Sequence, residues 1–185
     1  MQPDSQLPHE DLSEQPRNWL DRTVVHVGNA ASLMFIFTVA ISFFEVVMRY
    51  VFNAPTIWVH ETASFLGAVL FVFGGSYALA TNKHVRVVLI YDFVSARTRS
   101  YLNIFHHIMG LLFSGLLAYA AWQMTDSAIF NPYGELHLET SGSAWNPPFP
   151  ALVKIMILFT MGLMFVQFVL HLVQEFRVLR KARHV

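Results

Sequence analysis

Four long apolar runs, separated by shorter polar segments, dominate the sequence. They cover residues 24–44, 59–80, 104–122 and 151–173. An α-helix rises about 1.5 Å per residue, so roughly 20 residues cross a hydrocarbon core about 30 Å thick. Each run is long enough, and none carries the charged outer face that a helix of a soluble bundle needs. The pattern therefore predicts an all-α integral membrane protein with four transmembrane helices. The spans are expected at about residues 24–48, 58–80, 103–124 and 150–174.

The segments outside the spans complete the predicted organisation. Residues 1–15 form a polar tail, residues 16–175 the four-helix membrane domain, and residues 176–185 a basic tail. Residues 16–23, PRNWLDRT, are predicted to form a short interfacial helix with Trp19 at headgroup depth. A signal peptide would open with a short basic region. The first apolar run starts too late and is too long for one, so we expect an uncleaved first span.

The basic residues predict an orientation. Of the 12 lysines and arginines, all but Arg49 and Lys154 lie before the first span, between the second and third, or after the fourth. Because lysine and arginine collect on the cytoplasmic side, both termini should be cytoplasmic. We expect three residues between the second and third spans to bind anionic lipid headgroups: Arg86, Arg97 and Arg99.

Composition narrows the possible chemistry. Hydrophobic residues make up 55% of the chain and charged residues 13%, against about 25% charged in an average soluble domain. Cysteine is absent, which excludes disulfides, iron–sulfur clusters and thiolate zinc sites. The 12 acidic residues balance the 12 basic ones, so nothing indicates a nucleic-acid partner, and membrane lipid is the expected surrounding. The sequence contains no Walker loop, GxSxG or HExxH motif, so we expect neither an enzyme nor a cofactor in this chain.

Each predicted span has one face of small or polar residues. Small residues let helix backbones approach closely, and polar residues form hydrogen bonds between helices. We therefore expect these faces to hold the four helices together. The positions predicted for helix packing are Gly67, Gly74, Ala78 and Gly110. The corresponding face of the fourth span carries Thr160, Gln167, His171 and Gln174.

The stretch RYVFNAPTIWVHE, residues 49–61, places charges beside the first two spans. Glu45 and Arg49 are four residues apart and can pair along one helix face. Glu61 is expected at a similar depth, so we predict a structural network of Glu45, Arg49 and Glu61. Trp58 should lie at the membrane interface. Alternatively, Glu45 or Glu61 could be the proton or cation site of a stand-alone small transporter, but the nearby arginine favours the structural interpretation.

Histidines raise a second alternative, a haem-binding membrane anchor. Four of them are predicted near the cytoplasmic ends of the spans: His26, His106, His107 and His171. Paired histidines on facing helices can ligate haem. Each of these side chains can also reach the membrane interface from its span, and no CxxCH motif occurs. The haem interpretation is therefore the less favoured one.

Two stretches carry a resemblance to a known family. The first contains Arg49-Tyr50, Trp58, Glu61, Gly67, Gly74 and His84-Val85-Arg86-Val87. Their order and spacing resemble the small membrane subunit, of the DctQ type, of tripartite ATP-independent periplasmic (TRAP) transporters. The second stretch, SGSAWNPPFPALVK at residues 141–154, resembles the longer-loop branch of that family.

The resemblance implies a multi-pass subunit of the bacterial inner membrane, within a sodium-driven importer of organic acids. A large membrane subunit would carry the substrate and sodium sites and move as an elevator. A periplasmic binding protein would deliver the substrate. This chain would be a non-catalytic scaffold for the large subunit and would help to dock the binding protein. Four residues are candidates for that docking surface: Asp126, Glu135, Glu139 and Trp145.

Overall fold

The computed structural model describes residues 16–81 and 96–182. This part of the chain is helical, with one isolated β-bridge and no longer strand. The helices are α1 (Trp19–Tyr50), α2 (Ile57–Ala80), α3 (Ala96–Ile129) and α4 (Phe149–Ala182). All four are long and apolar enough to cross a membrane. The predicted all-α architecture is confirmed for the described residues, with four helices of the length and apolarity that membrane spans require.

The first helix is longer than its predicted span. Asn18 has an extended backbone, with φ −145°, and its side-chain oxygen accepts a hydrogen bond from the Asp21 N–H at 2.9 Å. This is an N-cap, and α1 then continues without interruption to Tyr50. Residues 19–23 are therefore the first turns of α1. The predicted separate interfacial helix at 16–23 is absent, because no proline or glycine breaks the chain between that segment and the span.

The helices alternate in direction between two ends of the molecule. The terminal end is formed by the start of α1 and the end of α4, where Asp21 and His171 are in contact. The loop end is formed by the end of α1 and the start of α2, where Glu45 and Thr56 are in contact. Between these helices Asn53 reverses the chain with φ 52°, a left-handed conformation that asparagine tolerates better than most residues.

The three extensive helix interfaces form an open row, and α1 also reaches α4 at the terminal end. Helix α1 packs on α2, α2 on α4, and α4 on α3, whereas the described parts of α1 and α3 share no comparable interface. The core is correspondingly thin. It consists of three small clusters: Val24, Phe73 and Ala80; Ile41, Val59 and Leu66; Leu79, Met164 and Phe168. Only 11% to 28% of the most apolar stretch of each helix is buried within the chain. Most of the apolar surface is therefore left for lipid or for another protein.

The connection between α3 and α4 folds back over the loop end. Phe130 and Leu136 form an antiparallel bridge around a turn in which Gly134 has φ 81°, a conformation that favours glycine. After the turn the chain runs back along the end of α3, where the Glu139 N–H donates to the Ala128 carbonyl at 2.8 Å. The loop is thus held by backbone hydrogen bonds rather than hanging free from the helices.

Candidate functional site

At the loop end, Glu45 joins the first two helices. Its Oε1 accepts a hydrogen bond from Arg49 Nη2 at 2.9 Å, so the expected pair is present. Its Oε2 accepts from the backbone N–H of Thr56 at 3.1 Å and also from the Thr56 hydroxyl. Thr56 is the N-cap residue of α2, and its own side chain makes no capping bond. Glu45 therefore satisfies the start of α2 from the neighbouring helix.

Glu61 lies apart from this pair. Its Oε2 is buried and has no hydrogen-bond partner. The side chain lines a groove between α2 and α4 that Lys154 also lines. Glu61 lies on the side of α2 that faces α4. Thr56, at the start of α2, occupies the position beside Glu45 that the sequence suggested for Glu61. The predicted three-residue network is thus replaced by Glu45, Arg49 and Thr56.

A second polar cluster is buried at the terminal end. Its members are Asp21, Ser76, Gln167 and His171, each at most 1% exposed. Gln167 Nε2 donates to Asp21 Oδ1 at 3.0 Å, and the Ser76 hydroxyl donates to Gln167 Oε1 at 2.6 Å. His171 Nε2 lies 2.8 Å from Asp21 Oδ2. We call these four residues the terminal-end cluster.

The terminal-end cluster connects three helices. Asp21 belongs to α1, Ser76 to α2, and Gln167 and His171 to α4. These four side chains are buried, so water cannot hydrogen-bond to them. If one partner is lost, the other is left as a buried polar group without a hydrogen bond, which destabilises the fold. Both carboxylate oxygens of Asp21, on α1, are thus bonded to side chains of α4.

Sequence reasoning missed Asp21 in this role. The face of the fourth span was recognised, with Gln167 and His171 four residues apart on one side. Polar side chains inside a membrane span usually form hydrogen bonds with a facing helix, so a partner for Gln167 and His171 was to be expected. Asp21 was assigned to the segment before the first span, because that span was taken to start at residue 24. The five-residue difference between the predicted span start at residue 24 and the helix start at Trp19 hid the pairing.

Beside the cluster, α3 packs against α4 through aromatic rings. The ring centroids of His107 and His171 are 5.6 Å apart, in an edge-to-face arrangement. Gly110 faces Phe168 so closely that a Cβ on Gly110 would lie 2.3 Å from the ring. The structure thus places Gly110 where it was predicted, in a helix contact.

The predicted packing positions on α2 behave differently. Added Cβ atoms at Gly67 and Gly74 would meet nothing within 4 Å, and both residues are exposed, whereas Ala78 is half-buried. The buried face of α2 is instead formed by Leu66, Phe73 and Ser76. Gly67 and Gly74 are therefore not packing residues among residues 16–81 and 96–182. The helical wheel found a small-residue face correctly but could not say that it points outward.

The predicted interface anchors are only partly described. Trp19 is 75% exposed at the start of α1, and Trp58 is 42% exposed, with its ring 6.3 Å from that of Phe44. Arg86 lies outside the described residues. Arg97 and Arg99 lie in the first turn of α3, but their side chains are outside the description as well. Lipid binding by the three arginines stays a prediction.

The predicted docking residues divide into two groups. Asp126, Glu135 and Trp145 are exposed at the loop end, although Glu135 also accepts a hydrogen bond from Asn131 at 3.1 Å. Glu139 is half-buried and forms an ion pair with Lys154 of α4. Its role is thus partly internal, in holding the loop to α4.

Trp145 shares an open cleft with the start of α2. The cleft has a volume of about 610 Å³ and is lined by Pro55, Trp58 and Trp145 among others. Trp145 also packs edge-to-face on Phe149, with ring centroids 5.4 Å apart, which fixes its position. Two exposed tryptophans at one cleft form a surface suited to contact with another molecule, since tryptophan is enriched at protein interfaces.

The described residues were also compared with the pattern of a metal centre. In residues 16–81 and 96–182, no group of three or more histidine, aspartate and glutamate side chains could hold a metal ion. The rings of His107 and His171 lie against each other, with centroids 5.6 Å apart. Glu45 and Asp21 join helices, and Glu139 joins the loop to α4.

Comparison with known families decides the assignment. The family described as tripartite ATP-independent periplasmic transporters, DctQ component, matches residues 38–178. The chain belongs to the DctQ family. It is thus related to the small membrane subunit of TRAP transporters, and a DctQ protein is one component of a tripartite system. No curated protein sequence gives a significant match. The matched region runs from the middle of α1 into the last part of α4, so it includes Glu45 and His171 but not Asp21.

Proposed function

We propose that this DctQ protein is the non-catalytic scaffold subunit of a sodium-driven importer of organic acids. In this proposal the substrate and sodium sites belong to a large membrane subunit that moves as an elevator. The small subunit enlarges the fixed part against which the mobile part slides. It lies in the bacterial inner membrane with both termini in the cytoplasm.

The observation that supports the proposal is that two carboxylates within the helices are bonded to residues that fix the positions of the helices. Glu45 is held by Arg49 and Thr56, and Asp21 is held by Gln167 and His171. A carboxylate that carries an ion across a membrane must bind and release it in each cycle. Carboxylates that cap a helix or satisfy a buried cluster serve to fix helix positions instead, which suits a scaffold.

The outward face of α2 supports a large membrane partner. Gly67 and Gly74 are exposed, and Phe71 between them is 86% exposed. Small residues on an exposed membrane helix allow another helix to approach closely. Because the open row buries so little apolar surface within the chain, it offers a broad face to a neighbour.

The experiment that tests this proposal is affinity purification of the tagged chain from native membranes in mild detergent. We expect a stoichiometric partner with many apolar spans, and sodium-dependent organic-acid uptake when the complex and its binding protein are placed in liposomes. A chain that emerges alone and transports by itself would refute the scaffold role. A visible spectrum of the same sample distinguishes the haem-anchor alternative, since a haem band lost on His171→Ala would establish it.

A docking role for the loop end is part of the proposal. Asp126, Glu135 and Trp145 are exposed there and are free to contact a periplasmic binding protein. We expect Glu135→Gln combined with Trp145→Ala to slow uptake when the binding protein is limiting, with the rate restored at saturating binding protein. Ser127→Ala, at another exposed residue near the loop end, is the control. Unchanged uptake at limiting binding protein would exclude docking through these residues.

The stand-alone transporter remains the second candidate, because Glu61 Oε2 has no partner. It predicts that the purified chain alone moves an ion-coupled substrate in liposomes and that Glu61→Gln abolishes this transport. Glu135→Gln in the exposed loop serves as the control. Under the scaffold proposal, neither the chain alone nor its variants transport anything.

A further inference from the structure

A groove at the loop end is not explained by the scaffold role. Its floor is the start of α4, and α2 and α3 flank it on either side; we call it the loop-end groove. Its volume is about 480 Å³, within the range of about 300–1,000 Å³ typical of ligand sites. It extends from Phe149 to Ile157, or about 12 Å along α4 at 1.5 Å per residue.

Most of the groove wall is apolar. Phe65 of α2, Met124 of α3, and Val153 and Ile157 of α4 contribute to it. Met124 is 47% exposed and Ser64 is exposed, so the groove is open toward the surroundings of the helices. At this depth those surroundings are lipid, and an acyl chain is as apolar as these side chains. The shape and chemistry of the wall therefore suit one hydrocarbon chain.

The outer part of the groove is polar and carries both signs of charge. Glu61 contributes a buried carboxylate oxygen without a hydrogen-bond partner. Lys154 contributes an ammonium group that has three N–H donors, and its resolved ion pair is with Glu139. Glu61 thus lacks a donor and Lys154 keeps N–H donors beyond its bond to Glu139, so the best complement is a cationic donor beside an anionic acceptor.

We propose that the loop-end groove binds one phospholipid with a primary-amine headgroup, of the phosphatidylethanolamine class. Its ammonium donates to Glu61 Oε2, its phosphate accepts from Lys154, and one acyl chain lies along Val153 and Ile157. A choline headgroup has no N–H to donate, and a glycerol headgroup has no positive charge. Trp58, one turn before Glu61 on α2, is a predicted interface residue, so Glu61 is expected near headgroup depth. The inference depends only on membrane residence and not on the transporter role.

Native mass spectrometry tests the headgroup preference. The purified full chain, with any subunit that accompanies it, is delipidated and offered ethanolamine, choline and glycerol phospholipids with the same acyl chains. We expect about tenfold greater retention of the ethanolamine lipid, as one charge-assisted hydrogen bond would give. Equal retention of the three lipids would overturn the proposal.

Variants separate the two parts of the site. Glu61→Gln should remove the preference for the amine while leaving general lipid retention, and Val153→Trp should fill the groove and reduce retention of all three lipids. Ser127→Ala, at an exposed residue of α3 outside the groove, should change neither. A preference that persists in Glu61→Gln would contradict the assignment.

Crosslinking in native membranes identifies the occupant directly. A benzophenone amino acid at Ser64, on the rim of the groove, should form a covalent adduct with phospholipid. An adduct with a membrane polypeptide instead would show that a protein fills the groove, and the lipid assignment would be wrong. This outcome is distinct from failure of the scaffold proposal, which concerns the partner and not the contents of the groove.

Discussion

At the residue scale, the two carboxylates that hold the helices together differ in what they contribute. Asp21 is fully buried and is bonded to two side chains of α4. Arg49, the ionic partner of Glu45, has a side chain that is 53% exposed. An ion pair with an exposed partner contributes little, whereas a buried polar group that loses its partner is costly. The geometry thus makes Asp21 the more sensitive position.

For Asp21 we expect Asp21→Ala to lower the free energy of unfolding by about 1–3 kcal/mol, because Gln167 and His171 are left buried without their acceptor. Asp126→Ala, at an exposed carboxylate on α3, is the matched control and should change stability by less than about 0.5 kcal/mol. Thermal unfolding of the two variants in the same detergent checks this. Equal shifts for both would mean that the terminal-end cluster does not stabilise the fold.

For Glu45 we expect the hydrogen bonds of the side chain to contribute more to stability than its charge. Glu45→Gln keeps an oxygen for the Thr56 N–H, so we expect a change below about 0.5 kcal/mol, since only the exposed pair with Arg49 is lost. Glu45→Ala removes the cap of α2 and should cost about 1 kcal/mol. Chemical denaturation of both variants measures the difference. A Gln variant as unstable as the Ala variant would show instead that the charge dominates.

At the scale of the helices, the sequence predicted the number of spans, which depends on hydrophobicity. It did not predict which face of each helix is buried, which depends on the neighbouring helices. Four spans follow from the lengths of the apolar runs, which depend on the chain alone. The direction of the small-residue face of α2 cannot be predicted in this way. Gly67 and Gly74 give the same sequence pattern whether they contact α4 or point outward, and in the structure they point outward. Glu61 was likewise assigned to Arg49 by depth, although rotation around α2 turns it toward α4.

Two glycines test which faces are internal. Gly110→Ala would place a Cβ 2.3 Å from the ring of buried Phe168, so we expect a loss of about 1–3 kcal/mol. Gly74→Ala meets open space and should leave the isolated chain unchanged, or stabilise it by up to about 1 kcal/mol through helix propensity. Unfolding of both proteins in detergent provides the measurement. A destabilised Gly74→Ala chain would indicate that α2 contacts something within this subunit that its exposed face does not reveal.

At the scale of the whole molecule, the proposed orientation has a direct test because the chain contains no cysteine. Tyr133, 90% exposed in the loop between α3 and α4, should be labelled as Tyr133→Cys by an impermeant maleimide in intact cells. Arg180→Cys, at an exposed position near the end of α4, should be labelled only after permeabilisation. The wild-type chain is the control for background labelling. The reverse pattern would invert the topology.

The order of the helices in the row differs from their order in the chain, and this has a consequence for biogenesis. Helices α1 and α2 are neighbours both in sequence and in space, so they can associate as soon as they leave the ribosome. Helix α3 emerges next, but its extensive interface is with α4, and it has no comparable interface with α2. Until the last helix is synthesised, α3 therefore waits in the bilayer without its partner. We therefore expect the nascent subunit to become one folded body only when α4 is present, and a chain that stops before α4 to leave an α1–α2 pair and a separate α3.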